Sequence, residues 1–139
     1  MGGNMASFTF TITGDPIPWA RATPNYTQRY MYDCQKAIKS VIRDQLTEAM
    51  GNQAMLKGPL ELVIYYYFSI PASLSKVKQN ALLGTPYTSA PDIDNCTKFL
   101  LDTVKNIVIR DDRYVWKEEC YKLYDWIPRT DFTFKESQE

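Results

Sequence analysis

Residues Ala90 to Arg113 read A-P-D-I-D-N-C-T-K-F-L-L-D-T-V-K-N-I-V-I-R-D-D-R, and how this stretch folds decides how the rest is arranged. It carries five aspartates, Asp92, Asp94, Asp102, Asp111 and Asp112, in surroundings that are mainly apolar or basic. Pro91 has a fixed φ and disfavours a helical Ala90, so the approach is expected to be extended. An extended Asp92-Ile93-Asp94 would send both carboxylates to one side and Ile93 to the other. A helix is then expected from about Asn95 to Asn106, capped by Asp94 or Asn95. On it Asp94, Lys98 and Asp102 stand one turn apart on one stripe, while Phe99, Leu100, Val104 and Ile107 supply apolar contacts. Ile107-Val108-Ile109 reads as a short buried strand delivering Asp111 and Asp112 at its end. Three or four carboxylates gathered with one lysine suggest a site for a hard divalent cation.

Composition narrows the chemistry. The 139 residues, 45% hydrophobic and 14% aromatic, suit one globular domain with its own core. Apolar runs are too short to span a bilayer, no signal peptide is recognisable, and a cytoplasmic location is expected. Residues 1–6 are expected to be a flexible N-terminus or an expression remnant, with the folded domain over 7–136. Cys34, Cys96 and Cys120 are odd in number and widely spaced, and read as reduced, buried thiols. The chain has no histidine, which excludes histidine triads and H-E-x-x-H zinc sites. A metal must therefore be held by oxygen, favouring Mg²⁺, Mn²⁺ or Ca²⁺. The net charge of zero argues mildly against a nucleic-acid protein, unless the acids are clustered and the remaining surface is basic.

Outward from the aspartates, Phe8 to Thr13 alternates as a half-buried strand ended by Gly14. The following loop and its exit carry Arg21 and Arg29, which could meet phosphate or be ordinary solvated charge. Arg29 to Met50 reads as a helix with Cys34, Ile38, Val41, Ile42, Leu46 and Ala49 inward. Lys36, Lys39 and Arg43 lie mainly off that stripe, a cationic cluster available to a DNA backbone. Leu60 to Phe68 is the next strand, and its tyrosine run is better read as sheet packing than as base stacking. Ser73 is expected to cap a helix reaching about Leu83, with Lys76 and Lys78 in its early turns. Tyr114 to Trp126 forms a long strand and Phe132 to Phe134 a final one. The order β-α-β-α-α-β-β-β implies an α+β domain, a mixed sheet with helices packed mainly on one face.

The pattern P-D-I-D-N, followed by Lys98, F-L-L-D and I-R-D-D-R, resembles the RusA family of Holliday junction resolvases. Gly14-Asp15-Pro16-Ile17-Pro18 with Arg21 resembles that family's opening, and Lys122-Leu123-Tyr124 a late strand motif. Two departures lower the local positive charge: Ala90 stands where many members carry lysine, and Ala22-Thr23 replaces Pro-Arg. The resemblance implies a Mg²⁺-dependent endodeoxyribonuclease, with Mn²⁺ as substitute, acting on branched DNA as a homodimer without an organic cofactor. It implies Asp92, Asp94 and Asp112 as metal ligands and Lys98 as a catalytic cation. Asp111 is then a weaker ligand candidate, and Asp102 is expected to orient Lys98 from behind.

Competing readings are weaker. An EF-hand loop counted from Asp92 needs glycine and glutamate where Thr97 and Thr103 stand. D-x-D glycosyltransferases need a nucleotide-binding domain for which the chain has no room. The alternative of another class is a non-catalytic nucleic-acid-binding module with a structural cation. Lys98 beside the acids favours the enzyme.

Overall fold

A computed structural model describes residues 5–20, 23–25, 30–32 and 35–137. In chain order the elements are β1 (Ser7–Thr13), β2 (Thr23–Asn25), β3 (Tyr30–Tyr32), α1 (Lys36–Met50), β4 (Leu60–Ser69), α2 (Lys76–Leu82), α3 (Ile93–Val104), β5 (Val115–Asp125) and β6 (Arg129–Glu136). Four strands form one sheet in the order β1-β6-β4-β5, and β2 pairs with β3 in a separate ribbon. β4 and β5 run parallel, whereas β4–β6 and β1–β6 are antiparallel. The fold is a single α+β domain with a mixed sheet, as the sequence pattern implies. Among the described residues no helix is long and apolar enough to cross a membrane.

Strand periodicity sets the core. Along β4, Leu60, Leu62, Ile64, Tyr66 and Phe68 alternate inward and are buried, while Glu61, Val63, Tyr65, Tyr67 and Ser69 face the other way. Register aligns Leu62 with Phe134 and Glu118, Ile64 with Phe132 and Cys120, and Tyr66 with Thr130 and Lys122. The inward face of the sheet is therefore aromatic and aliphatic at its middle and polar along β5. Ile42, Leu46 and Met50 of α1, and Cys96, Phe99, Leu100 and Val104 of α3, close over it. At the centre of this layer the Tyr66 hydroxyl and Thr97 Oγ1 share a 2.8 Å hydrogen bond, and Thr97 Oγ1 also lies 3.7 Å from Cys120 Sγ. Burial pushes the Tyr66 phenol far above its ordinary range, so it stays neutral.

Several sequence expectations are corrected. The first helix begins at Lys36, because Tyr30–Tyr32 pairs with Thr23–Asn25 as a ribbon. Aromatic residues favour strand pairing over helix. The inward stripe of α1 is narrower than expected, with Ile38 and Val41 exposed. Cys34 lies outside the described residues; Cys96 is buried, Cys120 half-buried, and both are free thiols. The second helix is capped by Ser75 rather than Ser73, Ser75 Oγ accepting from the Lys78 N–H. Ile107–Ile109 is not a strand but a turn after α3. Asn106 takes φ 66°, a left-handed conformation that asparagine tolerates at helix ends. Val108 and Ile109 are nonetheless fully buried, and Ile109 bridges to both Lys105 and Leu56.

The hydroxyl pair under α3 yields a stability prediction. Tyr66→Phe leaves Thr97 with its thiol neighbour, so it should cost about 1 kcal/mol. Thr97→Val strands a buried phenol hydroxyl and should cost more, roughly 1–3 kcal/mol. Urea unfolding with equal m-values checks both; a larger loss for Tyr66→Phe would contradict the arrangement.

Candidate active site

α3 is the element from which the site is built. It starts earlier than the sequence suggests: Asp92 is the N-cap, with extended φ −70° and ψ 150°, and Ile93 and Asp94 are already helical. The expected extended Asp92-Ile93-Asp94 is thus corrected. Asp94 belongs to the helix and Asp92 precedes it, and of the two only Asp94 lines the cleft described below. The Asp92 carboxylate makes no capping hydrogen bond.

The start of α3 is fixed by groups from two other elements. Lys122 Nζ donates to the Ser89 carbonyl at 2.6 Å, and Tyr87 Oη donates to the Ala90 carbonyl at 3.0 Å. On the other flank the Trp19 N–H donates to the Asn95 carbonyl at 2.9 Å. Buried Gln35 clamps that loop, its Nε2 donating to the Pro18 carbonyl and its Oε1 accepting from the Ala20 N–H. Trp19 is thereby held against α3 with the Lys98 ammonium 3.6 Å from its ring centre, a cation–π contact.

The far end of α3 is capped from α1. Arg43 Nη1 donates to the Thr103 and Lys105 carbonyls, at 2.8 and 3.0 Å, satisfying groups that a helix end leaves free. Lys39 Nζ pairs with Asp102 at 2.9 Å. Asp102 therefore meets Lys39, whereas the contact of Lys98 is with Trp19. Lys39 and Arg43, two of the cations expected to face DNA, join α1 to α3. Lys36, Lys76 and Lys78 are exposed, and Arg21 and Arg29 lie outside the described residues.

Asp94, Lys98, Leu101, Asp102, Lys105 and Asp112 line one cleft of about 380 Å³. The stripe Asp94-Lys98-Asp102 is there as the helical spacing requires. Asp111 and Asp112 differ in their contacts, although their carboxyls are close enough to interact. Asp111 Oδ1 accepts from the Arg113 N–H at 3.0 Å and its other oxygen lies 3.7 Å from Lys105 Nζ. That backbone hydrogen bond, foremost among its contacts, holds the Asp111 carboxyl below its ordinary range. Asp112 opens the short 3₁₀ turn Asp112–Tyr114 and faces the cleft.

One acid of the site escaped the sequence reading. Glu118 lies on β5 in register with Leu62, on the sheet face that α3 covers, two residues before Cys120, which touches Thr97. Desolvation raises its carboxyl above the ordinary range, and the charges of Asp94 and Asp112 raise it further. β5 alternates polar residues on both faces, so periodicity alone could not single Glu118 out; pairing with β4 could. Among the described residues no three acids or thiols yet stand together at ligating distance. The acids around the cleft offer carboxylate oxygens, which fit a hard divalent cation and do not fit a soft one.

Comparison with known proteins places the chain in a family. Residues 13–134 match the sequence profile of the family described as Endodeoxyribonuclease RusA. The chain belongs to the RusA family. It is also 26% identical over 140 residues to YqaN of Bacillus subtilis (strain 168), described as an uncharacterized protein, across 95% of this chain and 98% of that one. The RusA match takes in every residue of the cleft as well as Glu118, Trp19 and Lys122.

The raised Glu118 carboxyl has a measurable sign. A folded-state value above the unfolded value near ~4.3 means that stability is full at acid pH and is lost as Glu118 ionises in the folded protein. In EDTA at pH 7, Glu118→Gln should therefore raise the melting temperature, and the gain should vanish near pH 3.5. Parallel thermal melts at the two pH values check this; an unchanged or lowered melting temperature at pH 7 would contradict the crowding of Glu118 by Asp94 and Asp112.

Proposed function

We infer that the protein is a metal-dependent, structure-selective endonuclease that hydrolyses phosphodiesters in four-way DNA junctions during recombination and repair. The observation that carries this reading is the cleft itself: Asp94, Lys98 and Asp112 line it together, at positions matching the RusA motif. A divalent cation of the Mg²⁺ type, replaceable by Mn²⁺, would be held there by carboxylates. Bound, it would supply an activated water and offset charge building on the phosphate oxygens.

The chain's own residues have distinct tasks. Asp94 and Asp112 approach from the helix and from the turn before β5, and Glu118 closes the set from the sheet. Asp92, whose carboxylate is not engaged in capping, would join them from the residue just before α3. Lys98, braced against the indole of Trp19, is a point charge for the scissile phosphate, with its rotation limited before substrate arrives. Asp111 is engaged by the turn and acts by keeping Asp112 in place. RusA membership supports a homodimer with two clefts, suited to paired cuts across a symmetric junction.

Binding and cutting should separate. Asp94→Asn or Asp112→Asn is expected to remove Mg²⁺-dependent cleavage of a labelled four-way junction while its affinity is kept or improved, since a carboxylate near phosphate repels it. Asp111→Asn should lower the rate without abolishing it. Cleavage persisting in excess EDTA would refute the metal mechanism. A protein that binds the junction but never cuts it would be a binding module instead.

Trp19→Ala tests the brace on Lys98. Metal affinity should stay within about twofold, whereas single-turnover cleavage should fall roughly tenfold or more. Equal rates in both proteins would show that Lys98 needs no support from Trp19.

A further inference from the structure

Beside the acidic cleft lies a second one of about 450 Å³, lined by Leu56, Lys57, Gly58, Arg110, Arg113 and Tyr114. Its charged groups are all cations. Leu56 and Ile109 form a parallel bridge, supported by a 2.9 Å hydrogen bond from the Leu56 N–H to the Val108 carbonyl. Both bridge residues are buried, at 3% and 0% exposure. The next residues, Lys57 and Arg110, are exposed and line the same cleft. Like charges brought into one cleft repel each other.

Neither the Lys57 ammonium nor the Arg110 guanidinium has a hydrogen-bond or ion-pair partner among the described residues. Glu136 holds the neighbouring backbone, accepting from the Lys57 N–H with one oxygen and the Ala6 N–H with the other. Arg113 adds a third cation, its guanidinium 5.0 Å from the Tyr114 ring centre and its Nη2 donating to Tyr114 Oη. Asp111, in the same turn, lies 3.7 Å from Lys105 Nζ, and its charge also acts on Arg113, so it offsets part of the positive charge without lining the cleft.

The geometry points to a phosphate-binding subsite at Lys57, Arg110 and Arg113, which takes the backbone of the DNA strand next to the one being cut or the same strand beyond the cut. This rests on the endonuclease reading of the acidic cleft. Asp112 and Arg113 are consecutive, with Cα atoms ~3.8 Å apart. The turn they share sends a carboxylate into one cleft and a guanidinium into the other. At ~3.4 Å of rise per nucleotide, phosphates within a few nucleotides of the scissile one can fill the second cleft. Planar guanidinium forks with one ammonium recognise phosphate oxygens and carry no base preference of their own.

The experiment is anisotropy titration of a labelled four-way junction in EDTA, where no strand is cut, for wild type, Lys57→Ala, Arg110→Ala and the double variant. Each phosphate contact contributes about 0.9 to the slope of log K against log[salt], so the double variant should lose ~1.8 of slope and roughly tenfold in affinity. Its melting temperature should be unchanged or higher, because a repulsion is removed; a lowered one with the slope intact would mean a structural role and overturn the subsite. Wild-type affinity and slope in the double variant would also overturn it, while leaving the endonuclease reading in place if the protein still cuts with Mg²⁺. A wild-type protein that neither binds nor cuts the junction would remove both.

Discussion

The hydrogen bond between the Tyr66 hydroxyl and Thr97 Oγ1 fixes how α3 is rotated over the sheet. A purely apolar helix face could roll on β4 at small cost, because dispersion contacts are non-directional. A buried hydroxyl pair cannot, since each group loses its partner when the helix turns. With Thr97 inward, 100° per residue puts Asp94, Lys98, Leu101, Asp102 and Lys105 between about 40° and 140° round the axis, all on one shoulder. That shoulder overhangs the start of β5, where Asp112 and Glu118 arrive. One polar contact in the core thus decides which carboxylates share a cleft.

Much of this was legible beforehand. Gly14, Gly58 and the flanking prolines bounded strands correctly, and the apolar runs of β4 and β6 paired as their periodicity requires. The one-turn spacing of Asp94, Lys98 and Asp102 survived intact because it depends only on the helix existing. The extended reading of Asp92-Ile93-Asp94 failed because Pro91 restrains the residue before it and leaves those after it free to be helical. The β2–β3 ribbon was missed because the residues flanking Tyr30–Tyr32 suggested a helical period. Partners of single side chains were the least legible. Lys98 has Asp94 and Asp102 within one turn, yet Trp19, distant in sequence, takes its ammonium because a clamp at Gln35 brings the loop there.

Composition concealed the charge distribution. Sixteen basic and sixteen acidic residues cancel in the sum. In space, Asp94, Asp112 and Glu118 approach one another on one side of the turn at Asp111–Tyr114, and Lys57, Arg110 and Arg113 stand on the other. A neutral total can therefore coexist with steep local fields of both signs, and net charge says little about what such a surface attracts.

β5 is an edge strand, and only part of its outer rim is covered. Gly84 and Tyr87 donate to the carbonyls of Tyr124 and Lys122, and Tyr124 donates back to Thr85, so the connection after α2 lies along the far half. Among the described residues no backbone partner covers Lys117 to Tyr121. That open stretch could template pairing with any extended chain, yet it carries Lys117, Glu118 and Glu119 in succession, with a register shift beside Trp116. Charge and a bulge are two of the means by which exposed edges are kept from recruiting further strands. The glutamate that crowds the acidic cleft also helps protect the protein from aggregation.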